Sequence, residues 1–240
     1  MKIRIRAFRA VDDLGACQRF VKGHMEVLTR FGITMITTAN IDWFVNPNVI
    51  VIAAESIDGS EMYGGMRLHI KEKYSDLPIE NAVGKIDDRI YNLVNKHFEF
   101  GTGEFCGMWN SKEISGKGVS YLLTSAGTAV ISQLGVNSMF VLCAEYTVHM
   151  VERVGFNVLK DLGNNGTFYY PKLDLVATAL IKKYNDFSTA DIREKSLIQS
   201  LRLKPNQTKE LTPFKKDECL SIKFDLELPP LEQKFLKNSA

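Results

Sequence analysis

The sequence has few of the features that mark exported, membrane-spanning or nucleic-acid-binding proteins. Its four cysteines lie far apart and form no Cys-x-x-Cys pair, so we expect neither a zinc site nor disulfides. No apolar run approaches the roughly 18 residues of a membrane span. The 30 basic and 28 acidic residues give a net charge of +2, which is too balanced for a nucleic-acid-binding surface. We expect a cytoplasmic protein with no membrane span and no metal.

The sequence does contain the pattern of a mixed α/β domain. Its hydrophobic fraction of 45% and charged fraction of 24% are those of a globular protein. Residues 2–9 alternate between charged and apolar, which indicates an amphipathic strand and not a signal peptide. Periodicity predicts further strands at 49–54, 62–70, 104–109, 139–143, 156–159 and 176–181, and helices at 12–30, 86–98, 119–134 and 146–154. The Leu77-Pro78 pair predicts a loop, and the first half of the sheet should be antiparallel.

The composition changes after residue 181. Residues 182–240 are richer in charge and carry four prolines, Pro205, Pro213, Pro229 and Pro230. A capping motif that ends at Asp191 predicts a helix to about residue 203, and alternation predicts a strand over 220–228. We therefore predict one domain over 1–181 and, over 182–240, an extension that packs on it and has a mobile end.

The most informative motif is a turn that contains two glycines. It runs through Ser115, Gly116, Lys117, Gly118, Val119 and Ser120 and is called the glycine turn below. A predicted strand precedes it and a predicted helix follows it, so backbone N–H groups and the positive helix end converge there, which suits a phosphate group. The turn matches neither the Walker pattern Gly-x4-Gly-Lys-Ser/Thr nor the three-glycine Rossmann pattern.

The glycine turn resembles the phosphate-binding motif of the GCN5-related N-acetyltransferase (GNAT) superfamily, Arg/Gln-x-x-Gly-x-Gly/Ala. Gly118 and Ser120 take the two small-residue positions, whereas Ser115 replaces the usual Arg or Gln. Val154-Gly155-Phe156 resembles the end of that family's last core helix. The resemblance implies a mixed, mostly antiparallel sheet with helices on both faces. It also implies that acetyl-coenzyme A, or a longer acyl-coenzyme A, binds where the fourth and fifth strands splay apart.

A second set of segments resembles one branch of that superfamily, the acyl-homoserine-lactone synthases and the N-acyl amino acid synthases. The set comprises residues 64–69, 77–78, 104–107, 152–156 and 161–163. The branch has a strand motif Glu-x-x-Arg, in which Glu104 matches the Glu and Gly107 replaces the Arg. This resemblance implies a small-molecule amine as acceptor. The acyl donor is then acyl-coenzyme A or an acyl carrier protein.

Direct acyl transfer to an amine needs a base and, for the leaving thiolate, an acid. Glu104 begins the strand that would face the thioester and is our candidate base; its alternative is a solvated carboxylate at a strand end. Many GNAT acetyltransferases carry a Tyr as acid five residues before the Phe of the Gly-Phe pair. Val151 stands at that position here, so Tyr146 is the nearest candidate acid.

Two further side chains are candidates for binding the acceptor. Arg67 lies in a predicted apolar strand, where it either points into the acceptor cleft to bind a carboxylate or faces outward into solvent. Glu145 follows the fifth strand of the family pattern, within reach of an acceptor. Period-two alternation places Phe105 and Trp109 on one face of their strand, lining the core or an acyl pocket.

Two functions remain open at this point. The first is an N-acyltransferase that acts by direct transfer to a small amine. The second is an acyl-coenzyme A-binding or sensor domain of the same fold with weak catalysis, which the departures at Ser115, Gly107 and Val151 favour.

Overall fold

A computed structural model of the chain describes residues 1–33, 41–212 and 219–230. Ten strands in this part of the chain form one sheet: β1 Lys2–Arg9, β2 Val49–Glu55, β3 Met62–Ile70, β4 Thr102–Asn110, β5 Ser138–Ala144, β6 Asn157–Val158, β7 Thr167–Tyr169, β8 Val176–Lys183, β9 Asn206–Leu211 and β10 Leu220–Asp225. Six α-helices accompany them: α1 Leu14–Arg30, α2 Pro78–Val83, α3 Arg89–Phe98, α4 Val119–Val130, α5 Glu145–Glu152 and α6 Ile192–Leu203. Over the described residues, no helix combines the length and apolarity needed to traverse a bilayer.

The sheet is mixed and mostly antiparallel, as predicted. Its strand order is β6–β8–β5–β4–β3–β2–β1–β10–β9, with β7 beside β8. Among the ten described strands, two neighbouring pairs are parallel, β4 with β5 and β1 with β10. The antiparallel first half, from β1 to β4, is confirmed by the pairing of these four strands in chain order.

Helices cover both faces of the sheet because its strands present apolar side chains to both faces. In β1, Ile3 and Ile5 point to the face that carries α4 and α6, whereas Phe8 points to the face that carries α1. Helices α2 and α3 extend the second face and pack on Phe140 of β5 and Ala179 of β8. Fully burying a large apolar side chain contributes about 1.5–3 kcal/mol, so both faces stabilise the sheet.

Capping residues mark the starts of two helices where the sequence predicts them. The Asp13 carboxylate accepts a hydrogen bond from the Ala16 N–H at 2.8 Å and begins α1. The Asp191 carboxylate accepts from the Arg193 N–H at 2.9 Å and begins α6. Each carboxylate satisfies a backbone donor that has no acceptor within the helix.

The prediction of a loop at Leu77-Pro78 is wrong, because Pro78 is the first residue of α2. A proline is favourable at this position, since its missing N–H would have no partner in the first turn of a helix. The buried Glu80 carboxylate closes the turn by accepting from the Leu77 N–H at 2.7 Å. The next helix, α3, starts at Arg89 and not at residue 86.

The region after residue 181 adds one helix and two strands to this sheet. Helix α6 packs beside α4, and β10 pairs with β1 while β9 forms the sheet edge. The polar β9 was not predicted from the sequence. The division into a domain over 1–181 and an extension over 182–240 stays a prediction, and the predicted mobile end at 231–240 lies outside the described residues.

Candidate active site

Strands β4 and β5 separate partway along their length. They pair in parallel from Thr102 and Ser138 to Phe105 and Val141, and no pair follows these. Beyond that point β4 stays with β3 as far as Asn110, and β5 stays with β8 as far as Ala144. The two strands therefore diverge into a cleft, and β4 residues after Phe105 have no partner on β5.

A β-bulge at Gly107 sits at the point of divergence. Cys106 pairs with Arg67, but Trp109 pairs with Gly65, so β4 has one residue more than β3 between these pairs. Gly107 has a φ of +60°, a left-handed conformation that favours glycine. The extra residue reverses the alternation, so Trp109 packs with α1 and Phe105 with α4. The prediction that Phe105 and Trp109 share a face is therefore wrong.

The cleft contains a cavity of about 210 Å³, called the cleft cavity. Its lining comes from both faces of the sheet, and it combines Glu104, Cys106 and Gly107 of β4 with Val141 and Cys143 of β5. A ligand that crosses the sheet at this cleft would pass between the two strands.

Glu104 is a buried carboxyl group in the wall of the cleft cavity, with only 2% of the residue exposed. Burial, with a smaller contribution from the nearby Glu80, raises the pKa of Glu104 to about 8. The Ile79 N–H, which donates to Glu104 Oε2 at 2.7 Å, and the charge of Arg67 oppose that rise. The carboxyl group therefore exchanges its proton near neutral pH, unlike the solvated alternative considered above.

Arg67 lies on β3 opposite Cys106, next to the bulge at Gly107, and is almost completely buried, with 1% of the residue exposed. Its guanidinium carbon lies 4.4 Å from the ring centre of Trp43, and its Nε lies 3.1 Å from the place that a Cβ on Gly107 would occupy. Burial lowers the pKa of Arg67 from its ordinary value. Among the described residues, no carboxylate forms an ion pair with it. The solvent-facing alternative for Arg67 is wrong, because β3 is covered on this side by α1.

The glycine turn joins β4 to α4. Gly116 and Gly118 have φ values of +74° and +72°, and Gly118 precedes the first residue of α4. As a glycine it carries no capping side chain, and among the described residues the N–H groups of Val119 and Ser120 have no acceptor, so they are available to a ligand. The Ser120 hydroxyl donates to Asn110 Oδ1 at 3.0 Å and fixes the turn to the end of β4.

A pocket of about 420 Å³ opens over this turn and is called the turn pocket. It is lined by Ser115, Gly116, Gly118, Val119 and Ser120. Lys117 instead lines an adjoining groove. Among residues 1–33, 41–212 and 219–230, no three His, Cys, Asp or Glu side chains come together as a metal site would require.

Several solved structures share this architecture. FeeM, an N-acyl amino acid synthase from uncultured soil microbes, is 12% identical, with a TM-score of 0.54 over 79% of this chain and 99% of FeeM. BjaI, a coenzyme A-dependent acyl-homoserine lactone synthase, is 10% identical, with a TM-score of 0.55 over 99% of this chain and 100% of BjaI. Arabidopsis thaliana NAA60 is 14% identical, with a TM-score of 0.51 over 77% of this chain and 99% of NAA60. The chain has the GNAT fold.

At these identities the likeness extends to the fold and no further. No protein-family model and no curated protein matches the sequence. The GNAT fold nevertheless confirms the architecture that the glycine turn and the order of elements predicted. The cleft between β4 and β5 is the candidate active site, because the buried Glu104 carboxyl group forms part of its wall.

Of the three α5 residues considered from the sequence, two line the cleft cavity and one does not. Tyr146 lines the cleft cavity, but 79% of it is exposed, so it stands at the mouth. Val151 lines the same cavity from a buried position on α5. Glu145 is exposed at the first residue of α5 and is not part of the cavity wall.

Two residues that sequence reasoning missed also face these spaces. His24 of α1 lines the cleft cavity, and burial together with Arg67 lowers its pKa to about 4, so it is neutral at physiological pH. Arg153 follows α5 and lines the turn pocket. Helical spacing could have placed His24 with Phe20 on the buried face of α1. It could not have placed His24 beside the cleft, because the strands that form the cleft are distant in the sequence.

The raised pKa of Glu104 predicts a pH dependence of folding stability. A carboxyl group whose folded pKa exceeds its ordinary value of 4.5 stabilises the fold fully below pH 4.5 and progressively less up to pH 8. Glu104→Gln should remove this slope, which is at most about 1.4 kcal/mol per pH unit. Urea unfolding at pH 5 to 9 measures it, with the exposed Glu99→Gln as control. If the free energy of unfolding depends on pH in the same way for wild type and Glu104→Gln, the raised pKa of Glu104 is contradicted.

Proposed function

We propose that this chain is an N-acyltransferase that moves an acyl group from acyl-coenzyme A directly to the amine of a small acceptor. An acyl carrier protein is the alternative donor. The observation that carries the proposal is Glu104, a buried carboxyl group with a pKa of about 8 in the cleft where β4 and β5 diverge. The solved structures add support, since BjaI was determined with SAM and isopentyl-CoA and NAA60 with acetyl-CoA.

The donor would lie at the C-terminal ends of β4 and β5, where the two strands diverge. Its pyrophosphate would be held at the glycine turn, from Gly116 to Ser120, by the backbone N–H groups other than that of Lys117, which donates to Ile114 O at 3.1 Å. The pantetheine arm would enter the cleft beside β4, whose residues after Phe105 have no partner on β5 and so offer backbone hydrogen bonds. The thioester would then reach the cleft cavity, whose volume of about 210 Å³ favours a short acyl group.

The chemistry requires one proton to leave the acceptor before attack. Ionised Glu104 would take this proton from the acceptor ammonium, and its pKa of about 8 is close to that of an α-amino group. The amine nitrogen would then form a bond to the thioester carbon, the carbon–sulfur bond would break, and the nitrogen would release its second proton to water, leaving a neutral amide. Tyr146 at the mouth of the cavity, or water, would protonate the thiolate.

The buried Arg67 favours an acceptor that carries a carboxylate group as well as the amine. Among the described residues no carboxylate lies within ion-pair distance of this buried guanidinium, and Glu104 interacts with it only at longer range, so an anion bound beside it would offset the cost of its burial. Gly107, which lines the cleft cavity, places no Cβ between that cavity and Arg67. Glu145, at the start of α5, would attract the amine from the outer side of the cleft.

The second candidate function is a sensor that binds acyl-coenzyme A without efficient turnover. Val151 favours it, because this buried residue lines the cleft cavity where many GNAT acetyltransferases have their acid. Retention of Glu104 favours the enzyme.

Two measurements on the same protein separate these functions. Calorimetry with acetyl- and long-chain acyl-coenzyme A tests binding, and a thiol-release assay with amines that have or lack a carboxylate tests turnover. We expect binding and thiol release with short-chain donors and carboxylated amines. Binding without thiol release would favour the sensor, and no binding would exclude both functions.

A further inference from the structure

Arg153 brings a positive charge to the glycine turn from another part of the chain. It directly follows α5, and it lines the turn pocket together with Gly116, Gly118 and Ser120. Its guanidinium carbon lies 5.6 Å from the ring centre of Tyr121, in the first turn of α4. The side chain therefore lies beside the N-terminus of the helix that follows the turn.

Helix α6 holds this guanidinium in place. Arg153 Nη2 lies 3.1 Å from Asp191 Oδ2 and 3.2 Å from Glu194 Oε1. Glu194 is itself buried, with 5% exposed, and its other oxygen accepts a hydrogen bond from the Ser125 hydroxyl of α4 at 2.8 Å. Both acids meet the same nitrogen, so α6 fixes the position of the guanidinium.

The glycine turn has a short side chain, Ser115, where the GNAT pattern has a long one. Ser115 stands where the motif has Arg or Gln, so no long side chain reaches the phosphate from that position. A guanidinium binds phosphate oxygens through two parallel hydrogen bonds, which are stronger than bonds to neutral donors. Arg153 is a guanidinium on the wall of the same pocket, and the C-terminal region orients it.

We propose that Arg153, oriented by Asp191 and Glu194, binds the pyrophosphate of coenzyme A at the glycine turn in place of the side chain missing at Ser115. Helix α6 is then part of the donor site and not only a support for the sheet. This inference rests on the proposed function, because it takes acyl-coenzyme A as the donor.

The test compares donors with and without the pyrophosphate. Arg153→Met should raise KM for acetyl-coenzyme A by about tenfold or more, the size expected for a lost charged hydrogen bond. The same variant should use acetyl-pantetheine, which has no phosphate, as wild type does. Arg153→Lys keeps a charge beside both acids and should cause a smaller rise, since lysine lacks the fork.

Arg202→Met is the matched control. Arg202 is a half-buried arginine of α6 that stacks 4.3 Å from the ring centre of Tyr184 and donates to backbone oxygens. Its loss should leave the ratio of the two donors unchanged. An equal loss with both donors in Arg153→Met, or no loss with either, would overturn the proposal.

Calorimetry keeps this result separate from the proposed function. If wild type binds acetyl-coenzyme A and both Arg153 variants bind it equally tightly, only the role of Arg153 is overturned. Wild type that does not bind acetyl-coenzyme A would overturn the proposed function and this inference together.

Discussion

Replacing Glu104 with glutamine should lower kcat/KM for acyl transfer by about 10²- to 10⁴-fold, the usual contribution of a general base. Glutamine keeps the shape of the side chain and an oxygen that can accept from the Ile79 N–H, so the cleft should keep its form. Affinity for acetyl-coenzyme A should therefore be unchanged. The thiol-release assay and calorimetry, on the same preparation, give the two values.

The pH profile makes the role of Glu104 specific. Because the pKa of Glu104 is about 8, wild-type kcat/KM should rise with pH up to about 8 and then level off. The acceptor amine titrates in the same range, so the difference between wild type and Glu104→Gln isolates the carboxyl group. A variant with wild-type activity would contradict the role of Glu104 as base, as would identical pH profiles for the two proteins.

A negative charge at Gly118 should abolish most coenzyme binding. Gly118→Glu places a carboxylate in the turn pocket, and like charges in contact cost several kcal/mol, or about 100-fold or more in affinity. The fold should survive, because no atom lies within 4 Å of a Cβ at this position. The left-handed backbone, with φ of +72°, costs a non-glycine residue roughly 1–2 kcal/mol.

Gly135→Glu is the matched control for this variant. Gly135 has a φ of +66° and equally open surroundings, but it lies beyond the other end of α4. The Gly135→Glu substitution should lower the melting temperature about as much as Gly118→Glu does, while leaving affinity for acetyl-coenzyme A unchanged. A folded Gly118→Glu variant that binds the coenzyme like wild type would rule out the glycine turn as its phosphate site.

Local sequence signals predicted much of the fold. The apolar residues 49–54 and the turn before Met62 identify the β2–β3 hairpin, because a buried strand and a tight turn each leave a short-range pattern. The glycine turn is equally local, since its strand, two glycines and helix are contiguous. The periodic signals predicted a mixed α/β fold, and the resemblance of the glycine turn to the GNAT motif implied the GNAT fold.

Features that depend on distant residues could not be predicted in this way. The bulge at Gly107 is visible only against the register of β3, and without it the alternation puts Trp109 on the wrong face. The pairing of β10 with β1 joins opposite ends of the chain, for which periodicity gives no signal. Arg153 stands beside the glycine turn because α5 and α6 pack near α4, so its proximity is a product of the tertiary fold.

The most direct test of the proposed site is a crystal structure of the protein grown with acetyl-coenzyme A. We predict that the pyrophosphate lies on Gly116 to Ser120 and within reach of Arg153. The thioester should enter the cleft between β4 and β5, beside Glu104. Coenzyme bound elsewhere on the protein, or a cleft without coenzyme at saturating concentration, would contradict the proposed site.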